Sequence, residues 1–148
     1  MAANPTTVYN MKRVTPAFNA SQARTIAIKM PAGQYLSGQI LGELTATPGT
    51  AAPYAVGNSD GSQVPKYILE YDTFVDASGN HYRSDNGSVN NFGSGAELSA
   101  PVYYSGNFFT SDLVTSGAGA ITDAGLAAMF GKMVAGANIA AGGVIHIG

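Results

Sequence analysis

YLSGQILGELTATPGTAAPYAVGNSDGSQVPKYILEY, residues 35–71, holds three short apolar clusters: Ile40-Leu41 with Leu44, Tyr54-Ala55-Val56, and Tyr67-Ile68-Leu69. Turn residues cut off each one, as at Thr47-Pro48-Gly49 and Asn58-Ser59-Asp60-Gly61. Glycine supplies positive φ and Asn or Asp tolerates it, so the pattern spells short strands joined by tight turns. No residue in the stretch reads as a nucleophile, a base or a metal ligand. The most distinctive part of the chain is architectural, which points away from an enzyme.

Outward from this stretch the period-two signal recurs. Thr25 to Met30 alternates, so that Ile26, Ile28 and Met30 share one strand face, and Pro31-Ala32-Gly33 ends the run. Further strands are predicted near 35–38, 40–46, 53–56, 66–75 and 81–83, with a turn at Asp76–Asn80 between the last two. Residues 84–99 read as loop. Pro101 to Phe109 is dense in aromatics and reads as a strand with a turn at Gly106-Asn107; its rings serve either a core or a contact between subunits. Thr122-Asp123 followed by Leu126, Met129, Phe130 and Met133 predicts one helix, capped at its start and apolar on one stripe. Val144-Ile145-His146-Ile147 reads as a last strand, with His146 on the face opposite its isoleucines and turned to solvent.

Residues 1–23 differ. They are rich in Asn, Thr, Ala and Ser, carry Pro5 and Pro16, and show no helical period. Such a segment buries too little by itself to offset the entropy of ordering, so it reads as a flexible arm. Val8, Tyr9, Met11, Val14 and Phe18 are many apolar side chains for an inert tail. They suit an arm that orders on a partner, for instance by adding a strand to a sheet edge, or that tucks onto its own domain. The expected organisation is an arm over 1–23 and a single, mainly β (α+β) domain over 24–148.

Composition narrows the function. Charged residues are 11% of the 148, against roughly 25% in an average soluble domain, and the net charge is −2. Little electrostatic repulsion opposes assembly on such a surface. Seven scattered basic residues form no patch for phosphates, so direct nucleic-acid binding is not expected. No cysteine excludes thiolate chemistry and disulfides. The two histidines, His81 and His146, lack metal-site spacing. The first residues lack the apolar core of a secretory signal, and no run of about 20 apolar residues spans a membrane. A soluble intracellular product is the expectation, with no membrane partner.

The sequence carries no recognisable catalytic signature. There is no G-x-S-x-G, and Asp60-Gly61-Ser62 reads as a turn. Gly93-Ser94-Gly95 and Gly117-Ala118-Gly119 lack the lysine of a phosphate loop. Glu70, Asp72, Asp76 and Asp85 invite comparison with calcium ligands, but only Asp76–Asn80 has suitable spacing and it lacks the closing glutamate. No cofactor and no metal are expected.

The run Gly38-Gln39-Ile40-Leu41-Gly42-Glu43-Leu44-Thr45, then Tyr54, then Ser59-Asp60-Gly61-Ser62-Gln63-Val64-Pro65-Lys66-Tyr67-Ile68-Leu69 resembles the head decoration proteins of tailed bacteriophages. Gly106-Asn107-Phe108 and the helix-then-strand ending also fit. The resemblance covers about residues 24–148. It implies a β-tulip fold and a non-enzymatic homotrimer on the outside of the expanded capsid, at three-fold and quasi-three-fold sites. There it would cement the major capsid protein against the pressure of packaged DNA. The protein would be made in the host cytoplasm and end on the virion surface. On this reading Val8, Tyr9, Met11, Lys12, Arg13, Val14 and Phe18 form a capsid-binding arm, while Tyr103, Tyr104 and Phe108 are candidate subunit contacts. The alternative is a receptor- or glycan-binding domain of a virion fibre, with Tyr103, Tyr104, Phe108 and Phe109 as a sugar-stacking platform.

Overall fold

The computed structural model describes residues 15–16, 23–55, 57–84, 89–91, 93, 100–109, 112–113 and 144–147. Over these the chain is mainly β, with two antiparallel sheets. Ten strands appear: β1 (Arg24–Ile28), β2 (Gly33–Tyr35), β3 (Ile40–Glu43), β4 (Ala51–Pro53), β5 (Tyr67–Leu69), β6 (Thr73–Val75), β7 (His81–Ser84), β8 (Val89–Asn91), β9 (Ala100–Phe109) and β10 (Val144–Ile147). The larger sheet runs β1-β9-β5-β3-β4, with β10 paired to the far half of β9. The smaller runs β2-β6-β7-β8.

The larger sheet curls until its ends meet. Lys29, just past β1, forms a parallel bridge with Thr50, just before β4. The Lys29 amide donates to the Gly49 carbonyl at 3.0 Å, and the Ala51 amide donates to the Lys29 carbonyl at 2.8 Å. Closing a sheet on itself removes exposed edges, and here the closure is confined to that one corner.

β9 separates two cores. Ile28, Leu41, Leu69 and Val102 project to one side and meet Tyr35 and Val75 of the smaller sheet. Ile40, Ile68, Tyr103 and Phe108 project to the other, with Leu113 and Ile147. Strands buried on both faces read as continuous apolar runs, which is why Tyr67-Ile68-Leu69 does not alternate.

Several sequence expectations are corrected. The strand expected over 66–75 is two strands, because Glu70-Tyr71-Asp72 carries the chain from the larger sheet to the smaller. Gly33 begins β2 instead of ending β1, and the chain turns at Ser37-Gly38, inside the span expected to be extended. The strand placed at 53–56 lies at 51–53, drawn back by the Lys29 bridge. Residues 89–91, read as loop, are strand β8. No turn interrupts β9 at Gly106-Asn107; the strand runs through both and pairs with β10 there. Of the three residues expected to share one face of β1, Ile28 and Met30 are buried, whereas Ile26 is 49% exposed. The predicted helix around 123–133 and the side chain of His146 lie outside the described residues.

Candidate functional site

The motif that carries the family resemblance forms a loop folded back on β3, and its polar side chains are used inside the loop. Asp60 accepts from the Ser62 amide at 3.0 Å and from the Ser62 hydroxyl at 2.6 Å. Asn58 Nδ2 donates to Ser62 Oγ at 2.9 Å, and the Gly61 amide donates to Gln63 Oε1 at 2.9 Å. Hydrogen bonds from Ser62 hold the Asp60 carboxyl below the usual range. Gly61 has φ +108°, and a β-carbon there would stand 2.1 Å from the Glu43 carbonyl oxygen. At Gly42 it would stand 2.6 Å from the Val64 carbonyl oxygen. Backbone lies on backbone at both points, which only glycine permits. Asp60-Gly61-Ser62 is thus a turn that seats a loop, and Ser62 is itself buried.

The aromatic block divides. Tyr103 is 3% exposed, Phe108 is fully buried, and their ring centres are 4.8 Å apart at a tilt of 56°. The Tyr103 hydroxyl donates to Glu70 Oε1 at 3.2 Å. Tyr104 faces outward and is 43% exposed. The register also shifts here: Arg24 opposes Ser105 while Thr25 opposes Tyr103, leaving Tyr104 without a partner across the ladder. A one-residue bulge reverses the alternation beyond it. Tyr103 and Phe108, five positions apart, therefore reach the same core. Of the three candidate subunit contacts, Tyr104 alone presents its ring at the surface of the chain.

Tyr104, Thr25, Ile26, Lys66 and Tyr67 line an open recess of about 310 Å³. It is the uncovered end of the core face between the sheets. Lys66 Nζ lies 2.5 Å from Glu43 Oε1 and 5.2 Å from the centre of the Tyr67 ring. The hydrogen bond between the two raises the Lys66 pKa and lowers that of Glu43. Glu43 also accepts from the Gly49 amide at 3.1 Å. The recess thus offers aliphatic and aromatic walls with the cation of Lys66, itself paired with Glu43, among its lining residues. Tyr104 was foreseen as a candidate contact; Ile26 was placed only on a strand face with Ile28 and Met30, and Lys66 was assigned to no site. The only sequence signal for Lys66 was its position beside Tyr67.

Of the acidic residues considered as ligands, Asp85 lies outside the described residues, and Glu70, Asp72 and Asp76 accept hydrogen bonds from other groups. Asp76 Oδ1 accepts from the Ser78 and Asn80 amides, each at 2.9 Å, and Oδ2 from Asn80 Nδ2 at 3.2 Å and the Tyr82 hydroxyl at 3.1 Å. These bonds, led by that from Asn80, lower its pKa, as fits a carboxylate capping a turn. Asp72 Oδ1 accepts from the buried Ser37 amide at 2.7 Å. Among the described residues no group of three or more His, Asp or Glu side chains could hold a metal ion.

The arm residues Val8, Tyr9, Met11, Lys12, Arg13, Val14 and Phe18 lie outside the described residues. Searches with this chain match no family model, no curated protein and no solved structure.

Proposed function

We propose that this chain is a capsid decoration protein of a tailed bacteriophage. It binds the exterior of the expanded shell as a homotrimer at three-fold and quasi-three-fold sites and cements the major capsid protein against internal DNA pressure. One observation carries the reading beyond the sequence pattern. β1 is the terminal strand of the larger sheet, Arg24 to Ile26 along it are exposed, and it continues directly from residues 1–23. A segment leading into an edge strand is placed to extend main-chain pairing onto a neighbour.

In this reading the β-tulip fold includes the C-terminal helix, and the protein performs no chemistry. Its site is the arm together with the exposed patch of Ile26 and Tyr104, which serves the contact between copies. Three modest footholds held rigidly together gain avidity without any new type of contact. Preference for the expanded shell stabilises that form by mass action.

The test is co-sedimentation with expanded and unexpanded shells of the virus's own major capsid protein, using the full chain and a form lacking residues 1–20. Saturable binding to expanded shells that is lost on truncation is the expected result. Binding unchanged by truncation would remove the arm from the mechanism. Binding to neither shell would overturn the proposal and favour the fibre reading, whose stacking platform keeps Tyr104 and Phe109, both exposed, but not the buried Tyr103 and Phe108.

A further inference from the structure

We infer that the His81 imidazole is an acid-released latch: neutral, it fastens the smaller sheet to the larger one, and protonated, it frees the smaller sheet at that junction. His81 opens β7 and is 2% exposed. Its Nε2 accepts the amide of Met30 at 3.0 Å, across 51 residues of sequence. Met30 lies in the link that carries the chain from β1 of the larger sheet to β2 of the smaller. The other nitrogen, Nδ1, lies 2.9 Å from the Gly79 carbonyl. An Nε2 that accepts leaves Nδ1 as the donor, so one neutral tautomer satisfies both bonds.

A protonated ring cannot keep that arrangement. Nε2–H⁺ would face the Met30 N–H, donor against donor, in a site closed to water. Among the described residues, the charged groups acting on the ring are Lys29, from the end of β1, and Asp76, from the β6–β7 turn. Lys29 opposes a second positive charge. Asp76 favours one, but its two oxygens already accept from Ser78, Asn80 and Tyr82. On the side of β8 the nearby partner is the Gly93 carbonyl, which takes the His81 main-chain amide at 2.9 Å. Burial is the largest influence and depresses the ring's affinity for a proton.

The sign follows. In the opened state the ring titrates near the ordinary value of about 6.5, and in the closed state lower. Opening therefore takes up a proton. The latch holds fully above the ordinary histidine range and is lost as pH falls through the closed ring's lower value. Between the two points the opening constant rises about tenfold for each unit that the pH falls.

The experiment uses the full-length chain labelled with ¹⁵N and carrying His146→Gln, so that His81 is the one ring observed. At pH 7.5 the ring nitrogens should show the Nδ1–H tautomer, and the titration midpoint should fall below the ordinary range. Amide exchange is then compared at pH 7.5 and 5.0 after correction for intrinsic rates. Met30 and the amides of β6 and β7 should lose protection about tenfold or more relative to Leu41, Ile68 and Val102 of the larger sheet. Adding His81→Gln should abolish this difference between the sheets. Equal loss in both sheets, or the same pH response in the His81→Gln protein, would overturn the latch. Should that variant fail to fold, the ring titration still decides: a midpoint at or above the ordinary range, with Met30 protected through it, overturns the proposal.

Discussion

At the scale of single residues, two glycines share a positive φ but differ in their surroundings. Gly61 has φ +108° with the Glu43 carbonyl against the place where a β-carbon would sit; Gly49 has φ +88° and open space there. Gly49→Ala should cost about 1 kcal/mol, the strain of a left-handed residue. Gly61→Ala adds a clash with backbone and should cost at least about 2 kcal/mol. Urea midpoints at unchanged slope would measure both. Equal costs would show that the loop at 58–66 yields instead of pressing on β3. The Lys66–Glu43 pair sets the opposite scale. Half the Lys66 side chain is exposed, so Glu43→Gln should change stability by less than about 1 kcal/mol, and less still in high salt. That Ser59-Asp60-Gly61-Ser62 makes a turn was legible from residue types. That the loop would lie on β3 was not, because the contact is between main chains and leaves no side-chain pattern beyond Gly42.

β9 shows at the scale of elements what sequence does and does not reveal. Its aromatic density marked a strand, but Gly106 read as a turn. In the structure Gly106, at φ +145°, lies under the Phe108 ring, and a β-carbon would come 3.0 Å from the ring's Cε2 and 3.3 Å from the Ala23 β-carbon. An aromatic ring covering a strand glycine supplies the packing that the missing side chain cannot. Gly106→Ala should therefore destabilise the protein chiefly by displacing that ring. In a Phe108→Leu background the same change should cost markedly less, a coupling of 0.5 kcal/mol or more (order of magnitude) in a double-mutant cycle. Additive costs would assign the whole effect to backbone strain. That Tyr103 and Phe108 reach the same core was equally hidden, since it depends on the register of β1 against β9 and not on β9's own residues. Local alternation reports faces correctly only while a strand has no bulge.

For the whole molecule, sequence gave the class, mainly β, and the approximate place of most described strands, because turn residues and period-two runs are local. The partition into two sheets was not legible. β5 and β6 read as one strand, since nothing in Tyr67–Val75 marks the crossing at Glu70-Tyr71-Asp72 except two carboxylates in an apolar run. Those carboxylates, with Ser37, Thr73 and His81, are among the buried polar residues near the junction, and in the sequence only the carboxylates stand out, as charges in unexpected company. The arm should be dispensable for this framework: removing residues 1–20 is expected to leave the midpoint of thermal unfolding within a few degrees, since β1 begins only at Arg24. A collapse of the midpoint would mean that the arm packs on its own domain. The place of β9 in the sheet has a further consequence, for synthesis. β1 and β5 both pair with it, yet it begins at residue 100, so a nascent chain holds β1, which ends at Ile28, without this partner until residue 100 and beyond has been made. Folding on the ribosome should therefore be late and abrupt, released when β9 clears the exit tunnel, and refolding of the free chain should fall in the slow range of milliseconds to seconds typical of distant pairings.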